Sequence, residues 1–143
     1  MVAMDVERES AALREAFAAD PVVVAAWLFG SVASGRATPS SDVDFAVLLS
    51  ADAPRGLDRL VLLDTIAERI AWVLNLSEQR IDVVALDGQG PVFQHTVLRT
   101  GRLVFESDAR ERIRFACSVV RRYLDFKPVL DIFDRVKYGR GRA

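Results

Sequence analysis

Two apolar runs separated by a polar loop constrain this chain more than any other feature. Val22 to Phe29 stops at Gly30-Ser31, and a second run opens at Asp42-Val43-Asp44 and continues to Leu49. Apolar, partly β-branched runs of this length predict buried strands. Side chains alternate along a strand, so Val43, Phe45, Val47 and Leu49 face one way and Asp42, Asp44, Ala46 and Leu48 the other. Carboxylates at i and i+2 then sit roughly 7 Å apart at their Cα atoms. Without compensation, one of the two would have its pKa raised. A divalent cation removes that cost. Magnesium suits the task, because it takes oxygen ligands and shares its shell with substrate phosphates.

A third strand is expected over Arg80–Leu86, where Ile81, Val83 and Ala85 face one way and Asp82, Val84 and Leu86 the other. Asp82 reads either as a third metal ligand or as an edge residue facing water. Three carboxylates are enough for two ions that clamp the attacking and leaving oxygens of an in-line phosphoryl displacement. Gly30-Ser31 supplies the complementary half. A glycine ending a strand lets the backbone approach a phosphate, and N–H groups at the following helix start favour anions. The Ser31 hydroxyl can donate to a phosphate oxygen, and Arg36 in the same loop adds charge. Gly-Ser alone is a common turn; the joint pattern is far less frequent.

The remaining elements follow from periodicity. A helix is expected over 4–19, with Val6, Leu13, Ala16 and Phe17 at helical spacing, stopped by Asp20-Pro21. A short helix should begin near Ser31 as N-cap, and Gly35 to Ser41, with Pro39, should be a loop. Leu57–Leu74 predicts a long helix with Leu57, Leu60, Val61, Ala67, Ile70, Ala71 and Leu74 at helical intervals. Val92–Arg99 after Pro91 predicts a short one, and Arg102–Phe105 a fourth strand. From Asp108 the chain reads as helical, with Ile113, Ala116, Cys117, Val120 and Leu124 on one face. Lys127-Pro128 should kink or break that helix before a last one to about Val136. This order predicts an α/β or α+β layer fold in one domain, with a core over about 4–106, a helical extension over 108–137 and a flexible tail over 138–143.

The 143 residues hold one cysteine, Cys117, which excludes an intrachain disulfide framework and a cysteine-based zinc site. His95 is the only histidine, which excludes a histidine-based metal site; it reads as a surface or helix-face residue. No apolar stretch approaches the ~20 residues of a membrane span, and the start with Asp5, Glu7, Arg8 and Glu9 is not a signal peptide's basic start followed by an apolar core. A reducing cytoplasm is the expected compartment. Trp27 and Trp72 read as core and Cys117 as packing; Tyr123 and Tyr138 read either as recognition residues or, by default, as core packing and a solvated tail. From Arg110 to the end there are ten Lys or Arg against four Asp or Glu, while residues 1–109 carry nine against sixteen. A basic end on an acidic body suggests a surface for an acidic protein or nucleic acid; a solvated basic helix face explains it equally well.

Gly30-Ser31, ten residues, then Asp42-x-Asp44, with the later apolar strand around Asp82, resembles the nucleotidyltransferases of the DNA polymerase beta superfamily. Gly30-Ser31-Val32-Ala33-Ser34-Gly35 followed by Ser41-Asp42-Val43-Asp44 resembles their minimal nucleotidyltransferase group. Tyr123-Leu124-Asp125-Phe126-Lys127-Pro128 is similar to the antitoxins paired with HEPN-domain toxins. Ser34 stands where many relatives have arginine before the glycine, with Arg36 two positions on.

The resemblance implies a small mixed sheet flanked by helices. It also implies magnesium-dependent transfer of AMP from ATP to a hydroxyl, most naturally a tyrosine of a HEPN toxin bound in a hetero-oligomer, with no membrane and no direct nucleic-acid binding. Gly30 and Ser31 would hold the β- and γ-phosphates. Asp42 and Asp44 would bind two Mg2+ ions, and Asp82 would bind the catalytic ion and help deprotonate the acceptor. Two other functions stay open: an antitoxin that acts by binding alone, and a small-molecule nucleotidyltransferase that modifies antibiotics.

Overall fold

The computed structural model describes residues 6–38 and 40–137. In chain order these form α1 (Val6–Ala18), β1 (Val23–Phe29), α2 (Gly30–Ala33), β2 (Val43–Leu49), α3 (Gly56–Leu74), β3 (Ile81–Ala85), α4 (Pro91–Thr100), β4 (Arg102–Glu106) and α5 (Ala109–Lys137). The sheet order is β3-β2-β1-β4. β2 and β3 run parallel, and β1 pairs antiparallel with both β2 and β4. This is the expected mixed sheet. Residues 4–5, Pro39 and the tail 138–143 with Tyr138 lie outside the described residues.

Alternation along the strands builds two apolar layers. Val43, Phe45 and Val47 bury against Leu13 and Phe17 of α1 and Ile66 and Ile70 of α3. Ala46, Leu48 and Trp27 bury on the opposite face with Val97 of α4, and Phe115 of α5 packs against them. With both faces covered, β1 can be apolar at every position. Phe17 anchors the first layer, edge-on to Phe45 at 5.5 Å and stacked on Phe105 at 6.0 Å between ring centroids. Arg69 of α3 ties α1 to that layer, pairing with Asp20 at 2.7 Å and donating to the Ala16 carbonyl at 2.9 Å. A cation there also suits the negative end of the α1 dipole.

Several expectations are corrected. Trp72 is 87 % exposed, because two residues on from Ile70 is a turn of roughly 200° around the helix, the side away from the sheet. Leu57, Leu60 and Val61 are exposed for the same reason. Ser31 is not an N-cap: α2 starts one residue earlier, and Phe29 holds the cap position without a side-chain bond. The third strand is shorter than 80–86, because Glu78–Arg80 and Leu86–Gly88 form 3-10 turns at its ends.

α5 departs furthest from its expectation. It runs unbroken through Pro128, which lies on an exposed stretch where water can satisfy the carbonyl that the missing N–H leaves unpaired. Asp108 caps its start, accepting from the Glu111 N–H at 3.1 Å. Of its apolar residues, Phe115 packs into the second layer and Val119 is fully buried. Ile113, Cys117, Val120 and Leu124 are exposed. His95 and Tyr123 are half-buried and stack in parallel between α4 and α5, with centroids 3.7 Å apart.

The two tryptophans provide a test. Trp72→Ala should change the unfolding free energy in urea by no more than about 0.5 kcal/mol. Trp27→Ala, at a side chain 4 % exposed, should cost about 3–5 kcal/mol.

Candidate active site

The pairing of the strands brings the site together. β1 ends at Phe29, whose partner on β2 is Asp44, and Asp44 is in register with Asp82 of β3. Gly30, Asp44 and Asp82 therefore follow one another across one end of the sheet. Neighbouring strands are about 4.8 Å apart, and in-register side chains point to the same face. Asp42 precedes Asp44 by two residues, just before β2 begins, and its charge is felt at Asp44. The face of Asp44 and Asp82 is the one that carries Ala46, Leu48 and Val84 into the second apolar layer. Asp44 and Asp82 share the face that strand parity predicts for them, while Asp42 lies one residue before β2.

Crowding has an electrostatic consequence. Partial burial, then the charge of Asp82, then that of Asp42 hold the Asp44 carboxyl above the usual aspartate range. A divalent cation would relieve all three causes. Among the described residues no group of three His, Cys, Asp or Glu side chains is closed enough to hold a metal ion as it stands. Asp42 and Asp82 are exposed, so both can turn toward a shared ion without disturbing the core.

Gly30 meets two demands at once. Its φ of +78° lies in the left-handed region, where glycine carries no Cβ penalty. A Cβ there would also lie 2.5 Å from the Asp44 Oδ2. The missing side chain is thus the space that the carboxylate occupies. After Gly30 the chain turns through α2, whose Ser31 carbonyl accepts from the Arg36 N–H at 2.9 Å and from the Ser34 hydroxyl at 3.1 Å. Ser34 is engaged within its own turn. Ser31, Ser34 and Arg36 line one side of a cavity of about 640 Å³, and Phe93, Thr96, Val97 and Thr100 of α4 line the other. Phe29 and Phe93 meet edge to face at its floor, 5.4 Å apart.

The α4 wall was not legible as part of a site, because a helix face of Phe, Thr and Val reads as ordinary packing. Arg80 was read only as the start of a strand. Its Nη2 donates to the Ser41 carbonyl at 2.7 Å, directly before Asp42.

A family model described as polymerase beta, nucleotidyltransferase matches residues 12–110. No curated protein matches the sequence. Among solved structures, a chain in a toxin–antitoxin crystal structure with AMP-PNP is 24 % identical with a TM-score of 0.66, covering 92 % of this chain and 98 % of that one. A chain in the complex of a tri-AMPylated HEPN toxin from Shewanella oneidensis with an MNT antitoxin is 21 % identical with a TM-score of 0.66, covering 93 % and 99 %. One in the toxin–antitoxin MntA-HepT structure is 20 % identical with a TM-score of 0.65, covering 92 % and 98 %. At such identities these likenesses establish the shared fold. No helix among the described residues is long and apolar enough to cross a membrane.

Two measurements probe this geometry. Gly35 has a φ of +74° and open space around a built Cβ, so Gly35→Ala should lose about 1–3 kcal/mol through backbone strain alone. Gly30→Ala adds the collision with Asp44 and should lose more in the same urea titration. Asp44 supplies the second. Its folded-state pKa is raised, so the folded chain binds the proton more tightly than the unfolded chain. The associated stability is complete below the unfolded value and is lost as pH rises through the folded one. In metal-free buffer at pH 7, Asp44→Asn should therefore melt above the parent, and the gap should close below about pH 4.

Proposed function

The chain belongs to the polymerase beta nucleotidyltransferase family, and on that premise we propose that it transfers AMP from ATP to a hydroxyl of a protein partner. The partner in this reading is a HEPN-domain toxin, and the acceptor is a tyrosine. The observation that carries it is the row Gly30, Asp44, Asp82 at one end of the sheet, with Asp42 two residues upstream. Support for ATP comes from the toxin–antitoxin structure that holds AMP-PNP, and support for AMP transfer to a protein from the tri-AMPylated HEPN toxin. An ATP-dependent reaction of this kind belongs, in this reading, to the cytoplasm.

Asp42, Asp44 and Asp82 would hold Mg2+, which when bound neutralises phosphate charge and orients the α-phosphate. In the proposed reaction the acceptor oxygen attacks the α-phosphorus. The bond from that phosphorus to the oxygen bridging toward the β-phosphate breaks, and pyrophosphate leaves with the electron pair. Asp82 takes the hydroxyl proton. Gly30 admits the triphosphate close to the backbone, and the Ser31 hydroxyl donates to its β- and γ-oxygens. First-turn N–H groups, which have no acceptor within a helix, add to that. Arg36 faces the same cavity as Ser31 and supplies positive charge to the phosphates. These groups position the reactants and stabilise developing charge, and such terms carry most of a phosphoryl-type transfer.

A protein acceptor suits the surface. Beyond Val119, α5 continues with Phe126, Val129, Phe133 and Val136 exposed, at spacings of three and four that place them along one side. Apolar patches of this kind mark protein contacts, and a HEPN toxin is the partner that the reading supplies for it.

Incubation with a purified HEPN-domain toxin, magnesium and ATP labelled at the α-phosphate tests the proposal. Label should appear on toxin tyrosine, and Asp42→Asn or Asp44→Asn should lower its rate at least about a hundredfold. Neutralisation of the toxin by both variants with no label would replace transfer by simple binding. Label on an aminoglycoside and on no protein would identify a small-molecule enzyme.

A further inference from the structure

Asp42 lies just outside the β2–β3 ladder. The first paired residues are Val43 and Ile81, and Asp42 is exposed, so neither strand pairing nor packing fixes it. One residue before that first pair lie Asp42 on one segment and Arg80 on the other. Arg80 closes the 3-10 turn Glu78–Arg80, two residues before Asp82. It is half-buried, and its Nη2 donates to the Ser41 carbonyl at 2.7 Å. That carbonyl belongs to the peptide group whose nitrogen is Asp42's own. The other side of Ser41 is also held, because its Oγ accepts from the Thr38 N–H at 2.8 Å and lies 3.1 Å from the Thr38 hydroxyl.

We propose that Arg80 is a positioning residue for the carboxylate site: by gripping the peptide before Asp42 from the turn before Asp82, it sets the one acid that the ladder leaves loose against the two that the ladder aligns. A charged donor to a carbonyl makes a stronger bond than a neutral one, and its two ends lie on the two chain segments whose acids must converge. The inference rests on the reading of Asp42, Asp44 and Asp82 as metal ligands.

Mn2+ titrated calorimetrically into the full-length protein is the test, with urea midpoints recorded for each variant. Arg80→Ala should weaken Mn2+ binding by about tenfold or more, the usual effect of removing a group that orients a ligand. Arg80→Lys, which keeps a charged donor, should restore part of the loss. Asp42→Asn should weaken binding at least as much, and the double variant Arg80→Ala with Asp42→Asn should be no worse than Asp42→Asn alone, since both act through one ligand. In AMP transfer the turnover should fall about tenfold to a hundredfold with the KM for ATP unchanged, because the Gly30-Ser31 end is untouched. Parent-like Mn2+ affinity in Arg80→Ala, or additive losses in the double variant, would overturn the inference while leaving the site reading intact. A parent chain that takes up no Mn2+ would overturn both. Should Arg80→Ala fail to fold, Arg80→Lys carries the comparison, with an intermediate loss expected and none overturning the claim.

Discussion

The parallel pairing of β2 with β3, in the register that sets Asp44 against Asp82, is the constraint on which the rest of this structure depends. It places like charges side by side, an arrangement no strand pair favours by itself. A slip of one residue would separate them, but it would also turn the apolar side chains of the slipped strand to the wrong face. For β3 that means lifting Ile81 and Ala85 out of the layer they share with Val43, Phe45 and Val47. Burial of those side chains therefore secures an electrostatically unfavourable register. A parallel pair also needs a long connection, and α3 provides it while adding Ile66 and Ile70 to the same layer. The element that makes the register possible is also one that holds it in place.

The antiparallel half of the sheet answers a different need. Because β1 and β2 are joined by α2 and its loop, the end of β1 returns beside the start of β2, and Phe29 falls opposite Asp44. Gly30 then meets the carboxylate so closely that a Cβ there would force Asp44 Oδ2 to shift. The proposed phosphate cradle and Asp44 are adjacent because one strand pair delivers both. This proximity also explains why the glycine needs more than backbone freedom: Gly35 has a similar φ with nothing around it.

Much of this was legible in the sequence. Alternation around Asp44 and Asp82 predicted their common face, because parity in a strand leaves no choice once the register is set. Runs bounded by Gly30, Asp20-Pro21 and Pro91 placed most elements within a residue or two. What failed was the choice of helix face. α3 carries apolar residues nearly all round, so Leu57, Leu60, Val61 and Trp72 were indistinguishable by period from Ile66 and Ile70. The same ambiguity in α5 hid which of its apolar residues pack inward, and no local signal decides it, since the answer lies in what α4 and β1 leave uncovered. Pro128 was misread as a break because the rule against interior proline weighs a lost bond that exposed backbone recovers from water. Arg80 was missed because its target is a backbone carbonyl 39 residues away, which leaves no trace in residue type or spacing.

The loop after Ser31 shows how a departure from a family pattern can be absorbed. Ser34 occupies the position where the resemblance leads one to expect arginine, and its hydroxyl closes onto the Ser31 carbonyl. The same carbonyl accepts from the Arg36 N–H, so the backbone of Arg36 is fixed by the residue proposed to bind phosphate. Moving the cation two positions along the chain therefore need not remove it from the proposed cradle, because one carbonyl ties both the Ser34 hydroxyl and the Arg36 backbone to Ser31. A serine at position 34 contributes what arginine there would not, a short hydroxyl that stabilises the turn from inside. In the proposed reaction the positive charge would come from Arg36, whose side chain stays exposed and free to reach a triphosphate.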